Sequence, residues 1–162
     1  MPVTSRMEEL RNEASEVAQA APNADDLMTK IVGLLHHRML KYNWVGFYML
    51  EAGAQPPMLV LGAFDGAMTP HTRIPLNEGI CGAAASSGLT VVVDDVKKDP
   101  RYLACSLETK SEIVVPIFVR GKVVGELDID SHFPAAFSLE DRQLVEHCAA
   151  LIGKKMESSG SK

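Results

Sequence analysis

Cys81, Cys105 and Cys148 carry the three thiols of this sequence, and a thiolate is both a nucleophile and an oxidisable group. Their wide spacing, without a CxxC pair, is typical of neither a structural zinc site nor a disulfide framework. Each is therefore either a small buried apolar residue or a reactive group. Cys105 lies in a long predicted connection, where functional groups concentrate. Cys81 begins a short predicted helix, whose N-terminal N–H groups should lower a thiol pKa. Cys148 lies among apolar residues of a predicted helix and is interpreted as packing.

Two acids near the end of the last predicted strand are candidates for binding and proton transfer. Asp128 and Asp130 are two positions apart, so they should share one sheet face, with Leu127 and Ile129 on the other. Their mutual repulsion should raise the pKa of at least one of them. One acid can then stay charged and bind an ammonium group, while Glu112, at a strand entrance, carries a proton for a reacting atom. The alternative is a solvated strand face.

Trp44 and Tyr48 are four positions apart on the first predicted strand and should also share a face. They can wall a pocket, where an aromatic ring also favours contact with a ligand sulfur atom. The alternative is that the pair belongs to the hydrophobic core.

The elements that position these residues are predicted from hydrophobic periodicity and turn signals. Helices are expected over 6–20, 24–40, 79–87 and 138–156, and strands over 44–51, 58–64, 73–75, 90–96, 112–119 and 123–130. Asn23 and Ser138 are predicted N-caps, and Gly88 should end the third helix.

The order of these elements predicts an α+β fold in one domain over residues 1–162, with an N-terminal helix within 1–21 and a polar tail over 158–162. Adjacent strands form hairpins, so the sheet should be mainly antiparallel. The helices at both chain ends should pack together on one of its faces.

Several segments of the chain resemble a GAF domain. They are Asp94–Val96, Asp99–Tyr102, Val114–Ile117, Val124–Leu127 and Phe137–Asp141. The resemblance covers nearly the whole chain. It implies a six-stranded antiparallel sheet with the terminal helices on one face and a ligand pocket, roofed by loops, on the other.

A narrower resemblance is to the free methionine-R-sulfoxide reductases, a catalytic branch of the GAF proteins. It is carried by Asn43–Tyr48, Gly79–Gly82, Ala104–Cys105, Ser111–Pro116 and Leu127–Ser131. It implies that the chain reduces free L-methionine-(R)-S-oxide to methionine. Cys105 would be the nucleophile, passing through a sulfenic acid. Glu112, Asp128 and Asp130 would hold the substrate, and Trp44 and Tyr48 would line the pocket.

The sequence departs from these reductases near the proposed chemistry. They commonly carry a further cysteine, often the resolving thiol, at the position aligned with His71. That role would pass to Cys81, by a disulfide with Cys105, or to an external thiol. The segment Lys97–Ser106 is more similar to a non-catalytic GAF domain. The alternative function is therefore a GAF module that binds or senses a small molecule, with inert cysteines.

Composition and charge exclude other classes. With a net charge of −5 and no basic stripe, the chain is not expected to bind nucleic acid. It has no apolar run that would span a membrane and no signal peptide, so a cytoplasmic location is expected, where thiols stay reduced. No histidine cluster has ligand spacing, so no metal site is predicted. The resemblance implies a homodimer without a bound cofactor, reduced by an external thioredoxin and NADPH system.

Overall fold

The computed structural model describes residues 6–51, 53, 55–102 and 108–158, which form four α-helices and a six-stranded sheet. The elements are α1 (Arg6–Ala20), α2 (Ala24–Arg38), β1 (Trp44–Glu51), β2 (Met58–Asp65), β3 (Arg73–Pro75), α3 (Gly79–Ser87), β4 (Val91–Val93), β5 (Ser111–Val119), β6 (Lys122–Ser131) and α4 (Leu139–Ser158). None of these helices has the length and apolar character needed to cross a membrane, among the residues described.

Local capping sets where the helices begin and end. The Asn23 side chain accepts a hydrogen bond from the Asp26 N–H at 2.8 Å, as predicted for an N-cap. Ser138 and Asp141 form a reciprocal pair, in which each side chain accepts from the other's backbone N–H. Gly88 ends α3 with a φ of 70°, a left-handed conformation that glycine adopts without strain.

The sheet has the order β3-β2-β1-β6-β5-β4, and every neighbouring pair is antiparallel. The predicted hairpins β1–β2 and β5–β6 are both present. The prediction of a six-stranded antiparallel sheet is therefore confirmed, and β1 and β6 lie at its centre.

The fourth strand is shorter than the predicted 90–96. Only Val91–Val93 pairs with β5, and the chain then turns away. The Asp95 side chain accepts from the Lys97 N–H at 3.1 Å and opens a 3₁₀ turn over Val96–Lys98. A hydrogen bond from the backbone to an aspartate side chain competes with strand pairing. The apolar run over 90–96 therefore predicted a longer strand than the chain forms.

The two faces of the sheet are covered by different elements. We call the first the helix-side face; α1, α2 and α4 pack on it around one large apolar cluster. Its central side chains are Val45, Phe47, Ile113, Val115, Leu127 and Ile129. The opposite face is covered by α3 and the loops around it, with a second, smaller apolar cluster beneath. The predicted packing of the terminal helices on one face is thus confirmed.

Candidate functional site

The face opposite the helix-side face carries three carboxyl groups of β6, and we call it the acidic face. Glu126, Asp128 and Asp130 alternate with Leu127 and Ile129, which point into the helix-side core. The three acids are at most 4% exposed. The shared face of Asp128 and Asp130 is confirmed, and the alternative of a solvated strand face is wrong, because the elements above the sheet cover it.

A fourth carboxyl reaches the same place from the neighbouring strand. Glu112 is the second residue of β5, pairs with Asp130 across the sheet, and is buried. Residues opposite each other in an antiparallel pair share a face, so Glu112 joins the acids of β6. Its predicted position at a strand entrance is confirmed, but its carboxyl is enclosed rather than open to solvent.

Burial is the main influence on these acids. It raises the pKa of Asp128, and burial followed by the charge of Asp128 raises the pKa of Glu126 and of Asp130. A hydrogen bond with Glu112 opposes the shift at Asp128 and at Asp130. The cluster therefore retains protons above the usual carboxyl range. It can supply a proton to a reacting group, and its remaining charge can hold a cation.

Cys81 lies against this cluster from the opposite side. It is the third residue of α3, and its thiol donates to Asp128 Oδ2 at 3.4 Å. Burial first, and then the charges of Asp128 and the other acids, raise its pKa well above the usual value. The expectation that the helix N-terminus lowers this pKa is wrong, because the sequence did not reveal that the thiol would face four buried carboxyls. Cys81 therefore rests as a neutral thiol beside a carboxyl that can take its proton.

Cys105 lies outside the described residues, so its role as nucleophile remains a prediction. The described residues on either side of its segment border the acidic face. Tyr102 is half-buried and packs on the apolar cluster that includes Cys81, while Thr109 is buried and lines a cavity together with Asp130.

Trp44 and Tyr48 form an aromatic wall on the acidic face, since they pair across the sheet with Asp130 and Glu126. Their ring centroids are 6.2 Å apart. The Trp44 Nε1–H donates to the Ala67 carbonyl at 3.0 Å, and the Tyr48 hydroxyl donates to a loop carbonyl, that of His71, at 2.7 Å. Both rings belong to the smaller apolar cluster and also line cavities, so the core and pocket interpretations hold together.

Two cavities open on the acidic face. The smaller, of about 10 Å³, is bounded by Tyr48, His71, Ile74, Gly79, Ile80, Cys81, Glu112 and Asp128. The larger, of about 280 Å³, is lined by Trp44, Asp130, Thr109 and neighbouring loop residues. No lysine or arginine among the described residues lines either one. The larger cavity suits a small molecule, and its two acids, Glu108 and Asp130, favour a ligand that carries a positive charge.

A roomier groove of about 430 Å³ lies on the other side of the sheet, between β5 and α4. It is walled by Leu89, Phe118 and Ala149, with Arg142 and Glu146 at its rim. Among its described residues it has neither a thiol nor a carboxyl cluster. Chemistry rather than size therefore identifies the acidic face as the candidate site.

Two residues of this site were not among the predicted site residues. Glu126 is fully buried, and both of its carboxyl oxygens lack a hydrogen-bond partner among the described residues. Its spacing of two from Asp128 was a visible signal, because the same alternation that paired Asp128 with Asp130 extends to it. Gly46 faces Asp128 across the sheet, and a Cβ there would lie 2.3 Å from the Trp44 ring, so the glycine makes room for the indole.

The family model of the GAF domain matches residues 23–156 of the chain. The free methionine-R-sulfoxide reductase of Escherichia coli is 36% identical over 129 residues, which are 80% of this chain and 75% of that protein. The free methionine-R-sulfoxide reductase of Saccharomyces cerevisiae is 43% identical over 113 residues, covering 69% of this chain and 62% of that protein.

Solved structures agree with this relationship. The X-ray structure of the free methionine-R-sulfoxide reductase of Neisseria meningitidis, in complex with its substrate, superposes with a TM-score of 0.88 at 34% identity. It covers 95% of this chain and 90% of that one.

Proposed function

Since the chain belongs to the GAF domain family and, within it, to the free methionine-R-sulfoxide reductases, we propose that it reduces free L-methionine-(R)-S-oxide to methionine. The observation that carries the proposal is the buried group of Glu112, Asp128 and Asp130 beside the Cys81 thiol, walled by Trp44. This is a site for a molecule that carries a cationic group and must receive a proton.

Binding of the substrate uses the larger cavity. Ionised Asp130 holds the α-ammonium group, because a cation offsets the cost of keeping a buried carboxylate charged. The Trp44 ring, on the same wall, contacts the methyl-sulfinyl end. A free amino acid offers this ammonium group, whereas a methionine within a peptide does not.

The reduction uses two thiols in succession, that of Cys105 and then that of Cys81. The Cys105 thiolate attacks the sulfoxide sulfur, and a proton from the acid cluster, carried by Glu112, goes to the sulfoxide oxygen. The resulting hydroxyl passes from the substrate sulfur to the Cys105 sulfur, so that methionine is released and Cys105 becomes a sulfenic acid. The Cys81 thiol then attacks the Cys105 sulfur and loses its proton to Asp128. The acid cluster returns a proton to the departing hydroxyl, so that water leaves and a disulfide forms.

The remaining steps require partners. A thioredoxin-type dithiol, recharged by NADPH, would reduce the disulfide by exchange, so no bound cofactor is needed. We also propose a cytoplasmic location, in which such reductants keep thiols free, and a homodimeric assembly.

The test is a single-turnover reaction of prereduced protein with free methionine-R-sulfoxide. Wild type should yield one methionine per chain and lose two thiols, and Cys105→Ser should yield none. Cys81→Ser should yield methionine once but retain a sulfenic acid, which a dimedone adduct detects by mass spectrometry.

Cys148→Ser is the matched control, since Cys148 is buried in the helix-side core and burial raises its pKa to about 12. It should react like wild type. If wild type yields no methionine while free amino acids still raise its melting temperature, the enzymatic proposal is wrong and the chain is a ligand-binding GAF module.

A further inference from the structure

Three possible metal-ligand atoms, from one helix and two strands, converge at the smaller cavity. The Cys81 sulfur comes from α3, and carboxylate oxygens come from Glu112 on β5 and Asp128 on β6. All three atoms lie within 4.8 Å of one another, and the Cys81 sulfur is 3.4 Å from Asp128 Oδ2. One thiolate with two carboxylates is a donor set that divalent zinc accepts.

The separations fit the ligands of a single ion. In a tetrahedral zinc site with a Zn–S bond of about 2.3 Å and a Zn–O bond of about 2.1 Å, the sulfur and oxygen ligands are about 3.6 Å apart. The Cys81–Asp128 pair already has nearly this spacing. The Glu112 oxygen needs only a side-chain adjustment to complete a three-residue set, with water in the fourth position.

An independent observation also points to a ligand. The second carboxyl oxygen of Asp128, Oδ1, is buried and has no hydrogen-bond partner among the described residues, although Asp128 is 2% exposed. Buried polar atoms are normally partnered, so an orphaned carboxylate oxygen indicates a missing partner. The cavity that the residue Asp128 lines, of about 10 Å³, has room for about one water-sized particle, which excludes the amino-acid substrate but accommodates an ion.

We propose that the reduced protein binds one Zn²⁺-type cation through Cys81, Glu112 and Asp128, and that this ion is a reversible inhibitor. On binding, the Cys81 thiol releases its proton to solvent and its sulfur becomes a metal ligand. The thiol can then no longer form a disulfide. Glu112 can no longer deliver a proton to the sulfoxide oxygen, and Asp128 can no longer take the proton of Cys81. The thiolate donor selects zinc and cadmium over magnesium and calcium, which prefer oxygen ligands.

The site was not predicted from the sequence because its ligands come from three separate elements and include no histidine. Metal binding goes beyond the reductase activity and is measured without substrate, whereas the inhibition by the ion rests on the proposed function.

The test is a titration of prereduced protein with Cd²⁺, followed by the ultraviolet charge-transfer absorbance of the cadmium–thiolate bond, and with Zn²⁺ by calorimetry. Wild type should bind one ion per chain with a thiolate band. Cys81→Ser should lose the band and about 100-fold or more in affinity, and Asp128→Asn should lose at least about tenfold. In the reductase assay, Zn²⁺ should inhibit and a chelator should restore activity.

Cys148→Ser and Cys105→Ser are the controls, and both should retain the band and the affinity. A band that persists in Cys81→Ser, or that vanishes in Cys105→Ser, would overturn the proposal, because the ion would then be bound elsewhere.

If Cys81→Ser does not fold, alkylation of the wild-type thiols tests the proposal instead. Zn²⁺ should protect Cys81, identified by peptide mapping, whereas Mg²⁺ at the same concentration should not; equal alkylation with both ions contradicts the proposal. Loss of reduction with intact metal binding would count against the reductase function alone.

Discussion

The two faces of the central sheet both bury their side chains, but one face buries apolar groups and the other buries carboxyl groups. On the helix-side face, Leu127 and Ile129 of β6 are fully buried among apolar neighbours. On the acidic face of the same strand, Glu126 and Asp128 are buried almost as completely, with carboxyl oxygens that have no partner among the described residues. One strand therefore contributes to a close-packed core and to a site with unused binding capacity.

Asp141, a buried acid among the helices, has hydrogen-bond partners for both of its carboxyl oxygens. Asp141 accepts from the Tyr42 hydroxyl at 2.5 Å and from the Ser138 N–H at 2.9 Å. Asp128, by contrast, accepts from the Cys81 thiol through Oδ2, while its Oδ1 has no hydrogen-bond partner in the described part of the chain. The comparison teaches that Asp141 serves stability, whereas the acidic face retains polar groups whose partners must be ligands or protons.

The largest effect on stability should come from the apolar side of β6. Leu127→Ala removes a fully buried side chain and leaves a cavity, so the free energy of unfolding should fall by about 2–5 kcal/mol. Urea denaturation measures this loss. Leu89→Ala, at a position that is 66% exposed, is the control and should change it by less than about 0.5 kcal/mol. Equal effects of the two would contradict the comparison of the faces.

Gly46→Ala should disturb the aromatic wall of the acidic face. The new Cβ would lie 2.3 Å from the Trp44 ring, so the ring must move, at a cost of about 1–3 kcal/mol. Trp44 is the single tryptophan of the chain, so its fluorescence spectrum reports the movement directly. Gly33→Ala on α2 is the control, because nothing lies within 4 Å of its Cβ. An unchanged emission spectrum in Gly46→Ala would refute this account of Gly46.

Asp141, with both carboxyl oxygens paired, and Asp128, with only one oxygen paired among the described residues, should respond differently to the same substitution. Asp141→Asn removes a carboxylate acceptor from the Tyr42 or Ser138 contact and should cost about 1–2 kcal/mol of unfolding free energy. Asp128→Asn should leave stability unchanged or increase it, since it removes a buried charge, yet slow formation of the disulfide, in which Asp128 takes the Cys81 proton. Thermal denaturation of both variants, with the rate of disulfide formation in the second, tests the contrast. A larger destabilisation in Asp128→Asn would show that both acids are structural.

The smallest effect should be a gain in stability with a defined pH dependence. Glu126→Leu replaces a buried carboxyl that has no hydrogen-bond partner among the residues described, and should add about 1 kcal/mol to the free energy of unfolding at pH 8. Burial raises the pKa of Glu126, so the folded chain keeps a proton that the unfolded chain loses above the usual carboxyl range. Wild-type stability therefore falls as the pH rises through the folded pKa, and the variant lacks this loss.

The advantage of Glu126→Leu over wild type should accordingly grow between pH 5 and pH 8 in differential scanning calorimetry. Glu126→Gln, which removes the ionisable group but keeps a polar one, should show the same pH trend with a smaller gain. A gain that is constant over this pH range would mean that Glu126 is ionised throughout.

Short-range patterns in the sequence were enough to predict most of the helices and strands and the acids that β6 contributes to the site. The caps at Asn23 and Ser138 and the αL glycine Gly88 act within a few residues, so their effects are readable without the fold. The alternation of acids with Leu127 and Ile129 likewise determined which side chains of β6 share a face, because strand periodicity is a local property.

The tertiary structure decided how deeply these groups are buried and what they meet. Whether Asp128 is solvated or enclosed depends on α3 lying over the sheet. The raised pKa of the Cys81 thiol depends first on its burial and then on carboxyls from two distant strands. Desolvation and charge–charge effects act through space, so no local pattern around Cys81 could reveal them. The sequence by itself determined the types and faces of the reactive side chains, whereas packing brought a thiol and two carboxyl groups to within 4.8 Å of one another.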